Sequence, residues 1–281
     1  MISVGDSFGS KVAEHLGMDF IEVKRKTFPD GEVCPRLSVP DKLIGQDVLL
    51  AMVPSRPYNP NSYILELLIT IRNLKSYGAN HINLIVPYFP YARQDRIIIS
   101  GEPLSSKFVK EILKVWVDNI FSVELHNEID GIVNIDVSDD IANYLKSKNG
   151  DILIGPDKGS GKLLRRVAKK MGMGYITMNK TRNPSTGSIS INFDYKKELP
   201  KEVILLDDIL SSGGTMKMAA DMLRSRGVES IVACVVHPIL VGNWKEINAD
   251  ELVATNTIPS EISAIDVTET VANFVKKKLK L

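Results

Sequence analysis

Cysteine is nearly absent: Cys34 and Cys234 are the only two in 281 residues, far apart and outside any CxxC spacing. That excludes a disulfide framework and a cysteine-based zinc site, and leaves two buried or incidental thiols. An excess of charge of one sign is lacking as well. Lys and Arg number 35 against 34 Asp and Glu, and a net charge of +1 gives no electrostatic footprint for nucleic acid or an anionic membrane. No apolar run approaches the roughly 18 residues of a membrane span. The opening MISVGDSFGSK also lacks the basic-then-apolar order of a secretory leader. The expectation is a cytoplasmic protein with neither nucleic acid nor membrane as partner. What is present is an ordinary globular composition, 44% hydrophobic and 25% charged. The length suits two domains of about 140 residues each.

Short aliphatic runs recur at 48–53, 81–86, 120–123, 152–154, 175–178, 203–206 and 231–236. Segments of helical periodicity alternate with them at 62–77, 104–115, 141–148, 161–171, 216–226 and 269–280. Such alternation predicts parallel sheets flanked by helices. The rhythm runs through both halves, with a polar stretch at 138–150. We expect two related α/β domains, 1–142 and 143–281, although no internal repeat is plain. Residues 179–192, NKTRNPSTGSISIN, break the rhythm. They read either as a mobile loop over a binding site or as a passive connection or hairpin.

Residues 203–215, VILLDDILSSGGT, join an aliphatic run to two adjacent carboxylates and a loop of small residues that opens a helical pattern. The run suits a buried parallel strand ending at Leu206, with Asp207 and Asp208 emerging at its carboxyl end, the edge where open α/β sheets bind ligands. Ser211, Ser212, Gly213, Gly214 and Thr215 then offer backbone N–H groups and hydroxyls without bulk, which fits a phosphate monoester at a helix N-terminus. Carboxylates do not attract phosphate, so the acid pair suits sugar hydroxyls or a divalent metal. The plainer reading is a strand-turn-helix whose acids merely cap and solvate the turn. This stretch resembles the signature that binds 5-phosphoribosyl 1-pyrophosphate (PRPP) in type I phosphoribosyltransferases and in ribose-phosphate pyrophosphokinases, the PRPP synthetases.

A second segment separates those two families. Residues 87–96, PYFPYARQDR, pack aromatics, prolines and two arginines into one turn region. The prolines stiffen the chain and the arginines supply planar donors for polyphosphate oxygens. Alone, the run is compatible with a surface turn. It resembles the PYxPYARQDR motif of PRPP synthetases, which phosphoribosyltransferases lack, and the resemblance implies that Arg93, Gln94 and Arg96 contact ATP while Asp95 positions its neighbours. Residues 28–32, FPDGE, match a family turn in which Phe28 offers a face for adenine and Asp30, Gly31 and Glu32 complete the contact. Without the resemblance, PDG is an ordinary β-turn. In the family this turn reaches the ATP site of a neighbouring subunit, which implies a homo-oligomer, at least a dimer.

His126, ending VELH, and Asp157, in GPDKG, match family positions that help bind Mg2+. A lone histidine after a strand is otherwise a structural residue. Lys180 and Arg182 match a Lys-x-Arg element that closes on the reacting phosphates, with Arg182 also counted among the ribose 5-phosphate contacts. The glycine-containing run at 155–163 is not a Walker A loop, because Pro156 and Leu163 stand where a glycine and a hydroxyl are required. The basic residues that follow it read as a solvated helix face.

Together these segments imply two phosphoribosyltransferase-like domains, each a mainly parallel sheet flanked by helices. The first would hold the ATP motifs, the second the ribose 5-phosphate site and catalytic loop. The implied reaction moves the diphosphoryl group of ATP to the C1 hydroxyl of ribose 5-phosphate with Mg2+. There are departures: Ser211 and Gly213 stand where many relatives have an acid and an alanine, and NKTR where a DKRR-like run is common. Two other readings remain open here. A phosphoribosyltransferase that consumes PRPP has no need of residues 88–96. A non-catalytic regulator would carry either a basic helix-turn-helix extension or damaged catalytic positions, and this sequence has neither.

Overall fold

The computed structural model describes residues 1–182, 189–193 and 195–281, and only the backbone at 180–182, 189 and 190. The chain forms two compact units, Met1–Asp136 with Val267–Leu281, and Val137–Asp266.

The first unit runs β1 (Ile2–Gly5), α1 (Ser7–Leu16), β2 (Phe20–Lys24), β3 (Arg36–Leu37), β4 (Val48–Ala51), α2 (Pro60–Ser76), β5 (Ile82–Ile85), α3 (Ser105–Lys114), β6 (Asn119–Val123) and β7 (Val133–Ile135). Its sheet has the order β3-β2-β1-β4-β5-β6-β7 and is parallel except where β2 meets β3. Strands β1, β4 and β5 bury every residue, the pattern of a parallel sheet covered on both faces.

The second unit runs α4 (Ser138–Leu145), β8 (Ile152–Gly155), α5 (Gly161–Met171), β9 (Gly174–Thr177), β10 (Asn179–Arg182), β11 (Ile189–Asn192), β12 (Glu202–Leu210), α6 (Gly214–Ser225), β13 (Ser230–Pro238), β14 (Glu251–Thr255) and β15 (Ser263–Ile265). Six of these strands form a parallel sheet, β9-β8-β12-β13-β14-β15, and β10 pairs with β11 as a separate antiparallel ribbon. Helix α5 illustrates why the sequence takes these shapes. Leu163, Leu164, Val167 and Ala168 recur on one face and are buried, and Gly172 in the left-handed region stops the helix.

With β3 set aside, both sheets share one strand order. The order reverses between β1 and β4 in the first unit and between β8 and β12 in the second, and such reversal points open a crevice at the carboxyl ends of the strands.

A repeat accompanies this likeness, contrary to the expectation that none is plain. Ile135, Asp136, Val137, Ala142, Asn143 and Lys146 recur in step as Ile265, Asp266, Val267, Ala272, Asn273 and Lys276. Each copy starts in the last strand of a sheet and continues into a helix, α4 in one case and α7 (Thr268–Leu279) in the other. At each copy the chain passes into the other unit. Helix α4 packs on α5, and α7 packs on α1. A division at 142/143 therefore differs from the unit boundary: all of α4 lies in the second unit and residues 267–281 lie in the first.

Two further points bear on the site. The strand expected to end at Leu206 continues to Leu210, because β13 pairs with β12 along its whole length. Of the two readings of 179–192, a mobile loop or a passive connection or hairpin, the described residues form the hairpin's antiparallel ribbon. Its residues 183–188 lie outside the described residues. Among the described residues, no helix is long and apolar enough to cross a membrane.

Candidate active site

The crevice of the second unit lies where β12 outruns its neighbour. Strand β8 pairs with β12 only at Leu153 and Ile154, opposite Ile204 and Leu205, so Asp207 and Asp208 project past the paired end of β8. The chain leaving β8 brings Asp157 to the same edge. There Asp157 Oδ1 accepts from the Gly159 N–H at 2.7 Å, and the buried Ser160 hydroxyl donates to the Asp157 carbonyl at 2.9 Å. Asp207 is 9% exposed. Burial pushes its carboxyl well above the usual carboxylate range, and repulsion from Asp208 and Asp157 pushes it further. Three acids that crowd one another in this way form a place where added positive charge is favourable.

This has a consequence for stability. The folded-state pKa of Asp207 lies above its unfolded value, so the folded chain holds more protons between the two, and stability falls as pH rises through that window. Asp207→Asn is expected to raise the melting temperature of the ligand-free protein, with a gain that opens above about pH 4 and grows with pH. Superimposable melting curves at pH 7 would mean that the carboxyl is not strained.

Beyond Leu210 the chain turns through Ser211–Thr215 into α6. Ser212 and Gly214 are exposed, Ser211 and Thr215 half-buried, and Gly213 buried. Gly213 caps α6 with φ +86°, and no side chain caps that helix end. A Cβ on Gly213 would stand 2.8 Å from Trp244 Cα. The loop that follows β13 supports this turn from behind: Val241 N–H donates to the Ser211 carbonyl at 3.1 Å, and Ile239 and Leu240 N–H donate to that of Leu210. The turn is thereby held in one shape with its amides at an open helix end, the arrangement that receives an anion.

The corresponding helix ends of the first unit are filled. Asp6 caps α1, accepting from Phe8 and Gly9 N–H, and its second oxygen accepts from Val53 N–H at 2.8 Å and pairs with Arg25 at 3.1 Å. Asn59 caps α2 through Asn61 and Ser62 N–H. Arg25 also pairs with the buried Glu66 at 3.0 Å. Both units thus have the same crevice, but in the first the protein's own side chains occupy the helix ends.

Each unit also raises an antiparallel finger after the strand that comes second in the chain within its sheet, β2 in the first unit and β9 in the second. In the second unit it is the ribbon, which starts directly after Met178 at the carboxyl edge and sets Lys180 opposite Ile191 and Arg182 opposite Ile189. In the first unit, Thr27 bridges Val33 and residues 28–32 form the tip. Gly31, at φ +92°, donates to the Phe28 carbonyl, Glu32 N–H donates to Asp30 Oδ1, and Lys26 lies 4.3 Å over the Phe28 ring. Phe28, Asp30, Gly31 and Glu32 are all exposed.

The 87–96 segment follows β5, and His126 follows the adjacent β6. Phe89 and Tyr88 are buried beneath the segment, while Arg93 and Arg96 are exposed. Tyr91 takes φ +61°, and its hydroxyl donates to Asn61 on α2. For a side chain of that size such a backbone is an outlier that surrounding contacts must hold. Asp95 accepts from Arg96 Nε at 3.2 Å and from Asn127 Nδ2 at 2.6 Å, which ties the segment to the loop bearing the half-buried His126. Gln94 Oε1 accepts from Ser105 Oγ at 2.6 Å, at the start of α3. Asn127 and Trp244 were not singled out in the sequence. Asn127 was detectable as the polar neighbour of His126, whereas nothing in its own segment marks Trp244.

The candidate residues therefore divide between the units. Arg93, Gln94, Asp95, Arg96, His126 and the 28–32 tip lie in the first. Asp157, Lys180, Arg182, the acid pair and the phosphate turn lie in the second. Among the described residues no three His, Cys, Asp or Glu side chains form a metal cage. Mg2+ needs few protein ligands when it keeps waters and substrate phosphates, so the acids at the β8 and β12 ends are a donor set of the right hardness.

Comparison with known proteins finds relatives along nearly the whole chain. The family profile for the N-terminal domain of ribose phosphate pyrophosphokinase matches residues 2–116, and that of the phosphoribosyl transferase domain matches residues 129–266. A ribose-phosphate pyrophosphokinase of Sulfolobus acidocaldarius is 33% identical, covering 98% of this chain and 100% of the relative, and one of Thermococcus kodakarensis is 34% identical over 90% and 91%. The crystal structure of phosphoribosylpyrophosphate synthetase from Mycobacterium smegmatis superposes with a TM-score of 0.82 at 25% identity, covering 99% of this chain and 98% of that one. With both halves matched in order and relatives aligned along nearly the whole length, the chain belongs to the ribose-phosphate pyrophosphokinase family.

Proposed function

We propose that the chain is a ribose-phosphate diphosphokinase, converting ATP and ribose 5-phosphate into PRPP and AMP. The observation that carries this reading is the uncapped end of α6 beside the crowded acids Asp207, Asp208 and Asp157, in the one of the two crevices where helix ends are left for a ligand. Ser211, Ser212, Gly213, Gly214 and Thr215 receive the 5-phosphate on backbone amides and hydroxyls, and Asp207 and Asp208 accept from the ribose hydroxyls. Arg93, Gln94 and Arg96 receive ATP, with Asp95 holding Arg96. The 28–32 tip completes the adenine site of a neighbouring subunit, so the protein acts as a homo-oligomer, at least a dimer, in the cytoplasm.

In the reaction, the anomeric oxygen attacks the β-phosphorus, the bond from that phosphorus to the α–β bridging oxygen breaks, the hydroxyl proton is released, and AMP leaves. The diphosphoryl group moves intact. Its transition state is loose, so catalysis rests on alignment and charge neutralisation. Lys180 supplies a compact charge and Arg182 a forked donor for the oxygens of the moving group, Arg182 also holding ribose 5-phosphate. His126 and Asp157 are the residues we assign to Mg2+, which when bound offsets negative charge on the phosphates. We assign no general base.

The test is a coupled assay for AMP. AMP release from ATP that requires ribose 5-phosphate and a divalent cation is expected, with PRPP accumulating in equal amount. A protein that binds both substrates and releases no AMP, or that consumes PRPP with a nucleobase instead, would remove this reading.

A further inference from the structure

Helix α6 has two ends, and only one belongs to the site described above. Its N-terminus opens from the phosphate turn, while Arg226 closes its C-terminus, about 18 Å away at 1.5 Å per residue. There the Arg226 guanidinium donates through Nη1 to the Tyr195 carbonyl at 2.8 Å and through Nη2 to the Phe193 carbonyl at 2.7 Å. It also lies 5.0 Å over the Phe193 ring, which is 2% exposed and stacked on Tyr195 at 5.8 Å. Phe193 directly follows Asn192, the last residue of β11, and Asn192 pairs with Asn179, the residue before Lys180. The guanidinium therefore grips the foot of the ribbon one residue beyond its final pair.

Phe193 is part of the second unit's core, with Tyr195 packed against it, so Arg226 adds direction to a foot that packing already anchors. The segment borders an open cleft of about 720 Å³ lined by Asn192, Phe193, Tyr195 and Lys196, with Arg226 on its wall. A planar fork that reaches two carbonyls just beyond the end of β11, those of Phe193 and Tyr195, and a ring face fixes direction as well as distance, which an ammonium does not.

We infer that Arg226 is a positioning residue for the catalytic ribbon, and that α6 is a strut setting Lys180 and Arg182 relative to the bound 5-phosphate. The inference rests on the function proposed above. A misplacement of charges by even 1 Å at the reacting group is costly, whereas the phosphate turn at the far end of α6 keeps its shape.

Arg226→Ala is expected to lower kcat about tenfold, equivalent to roughly 1.4 kcal/mol of barrier. KM for ribose 5-phosphate should rise by less than kcat falls, since the turn at 211–215 keeps its contacts and only the share of Arg182 is disturbed. Arg226→Lys should restore only part of kcat. Hydrogen exchange read without substrate should quicken at the amides of 179–182 and 189–193 and stay unchanged in β12 and β13. The inference is overturned if kcat and ribbon exchange match the parent. It is equally overturned if KM rises while kcat holds, or if exchange quickens throughout the second unit, which would mark a general stabilising role. Absence of AMP release by the parent protein would defeat the proposed reaction instead, and the exchange measurement would still report on Arg226.

Discussion

Gly213→Ala should weaken ribose 5-phosphate binding about 100-fold, roughly 2.8 kcal/mol, while the sheets remain folded. Two independent costs fall on the one added methyl. Gly213 sits at φ +86°, where a residue with a Cβ loses about 1–2 kcal/mol. The methyl would also meet Trp244 Cα at 2.8 Å and Trp244 Cβ at 3.3 Å. The first of these is backbone, held by a loop whose own amides are tied to Leu210 and Ser211, so it has no side-chain rotation by which to withdraw. The turn must move instead, and its amides then no longer converge on one anion. Gly214→Ala separates strain from obstruction. A methyl there meets nothing nearer than Ser212 Oγ at 4.0 Å, so the melting temperature should hold, and any lost affinity comes from a methyl standing where phosphate sits. Calorimetric titration with ribose 5-phosphate and a thermal melt measure both. Parent-like affinity in Gly213→Ala would show that the observed turn is not the phosphate cradle.

Lys180→Ala should lower kcat by about 10²–10³, with ribose 5-phosphate affinity within about twofold of the parent. The reason is one of position. Lys180 belongs to a ribbon that begins at the carboxyl edge of the second sheet, directly after Met178, whose amide is bound to the Gly155 carbonyl at the end of β8. The sugar phosphate is held by other residues, on the turn into α6, so removing an ammonium from the ribbon leaves ground-state binding of the sugar in place. What is lost is a charge that matters when negative charge spreads over the oxygens of the diphosphoryl group. AMP release under saturating substrates, set beside a binding titration, gives the two numbers. Undiminished turnover would strip the lysine of its assigned part.

The two arguments differ in how much of their basis was readable beforehand. The role of Gly213 as a small residue in a phosphate turn is visible in SSGGT, but its need for φ > 0 and its contact with Trp244 depend on a loop some thirty residues later in the chain. Strand positions followed from aliphatic runs in the buried β4, β5 and β13, whereas the equally buried β1, interrupted by Ser3 and Gly5, offers no such run. They did not follow for β7 or β15, each three residues long with one exposed position, because such segments have no periodicity to display. Helix α5 was readable to its last residue, since its apolar stripe ends at a glycine. Helix α1 was not, as its start depends on Asp6 accepting from Phe8 and Gly9 rather than on a dense apolar pattern. The extent of β12 escaped notice for the reason that makes it useful: two acids in mid-strand contradict strand propensity, and pairing with β13 overrides it.

The allegiance of α7 was beyond any local signal, because nothing in residues 267–281 names the helix they pack against. Since that partner is α1, a polypeptide emerging from the ribosome must finish its second sheet before the first receives its final cover. Truncation or fusion behind Ile265 would accordingly injure the opposite end of the gene product, the one made earliest, while sparing the strands synthesised just before it.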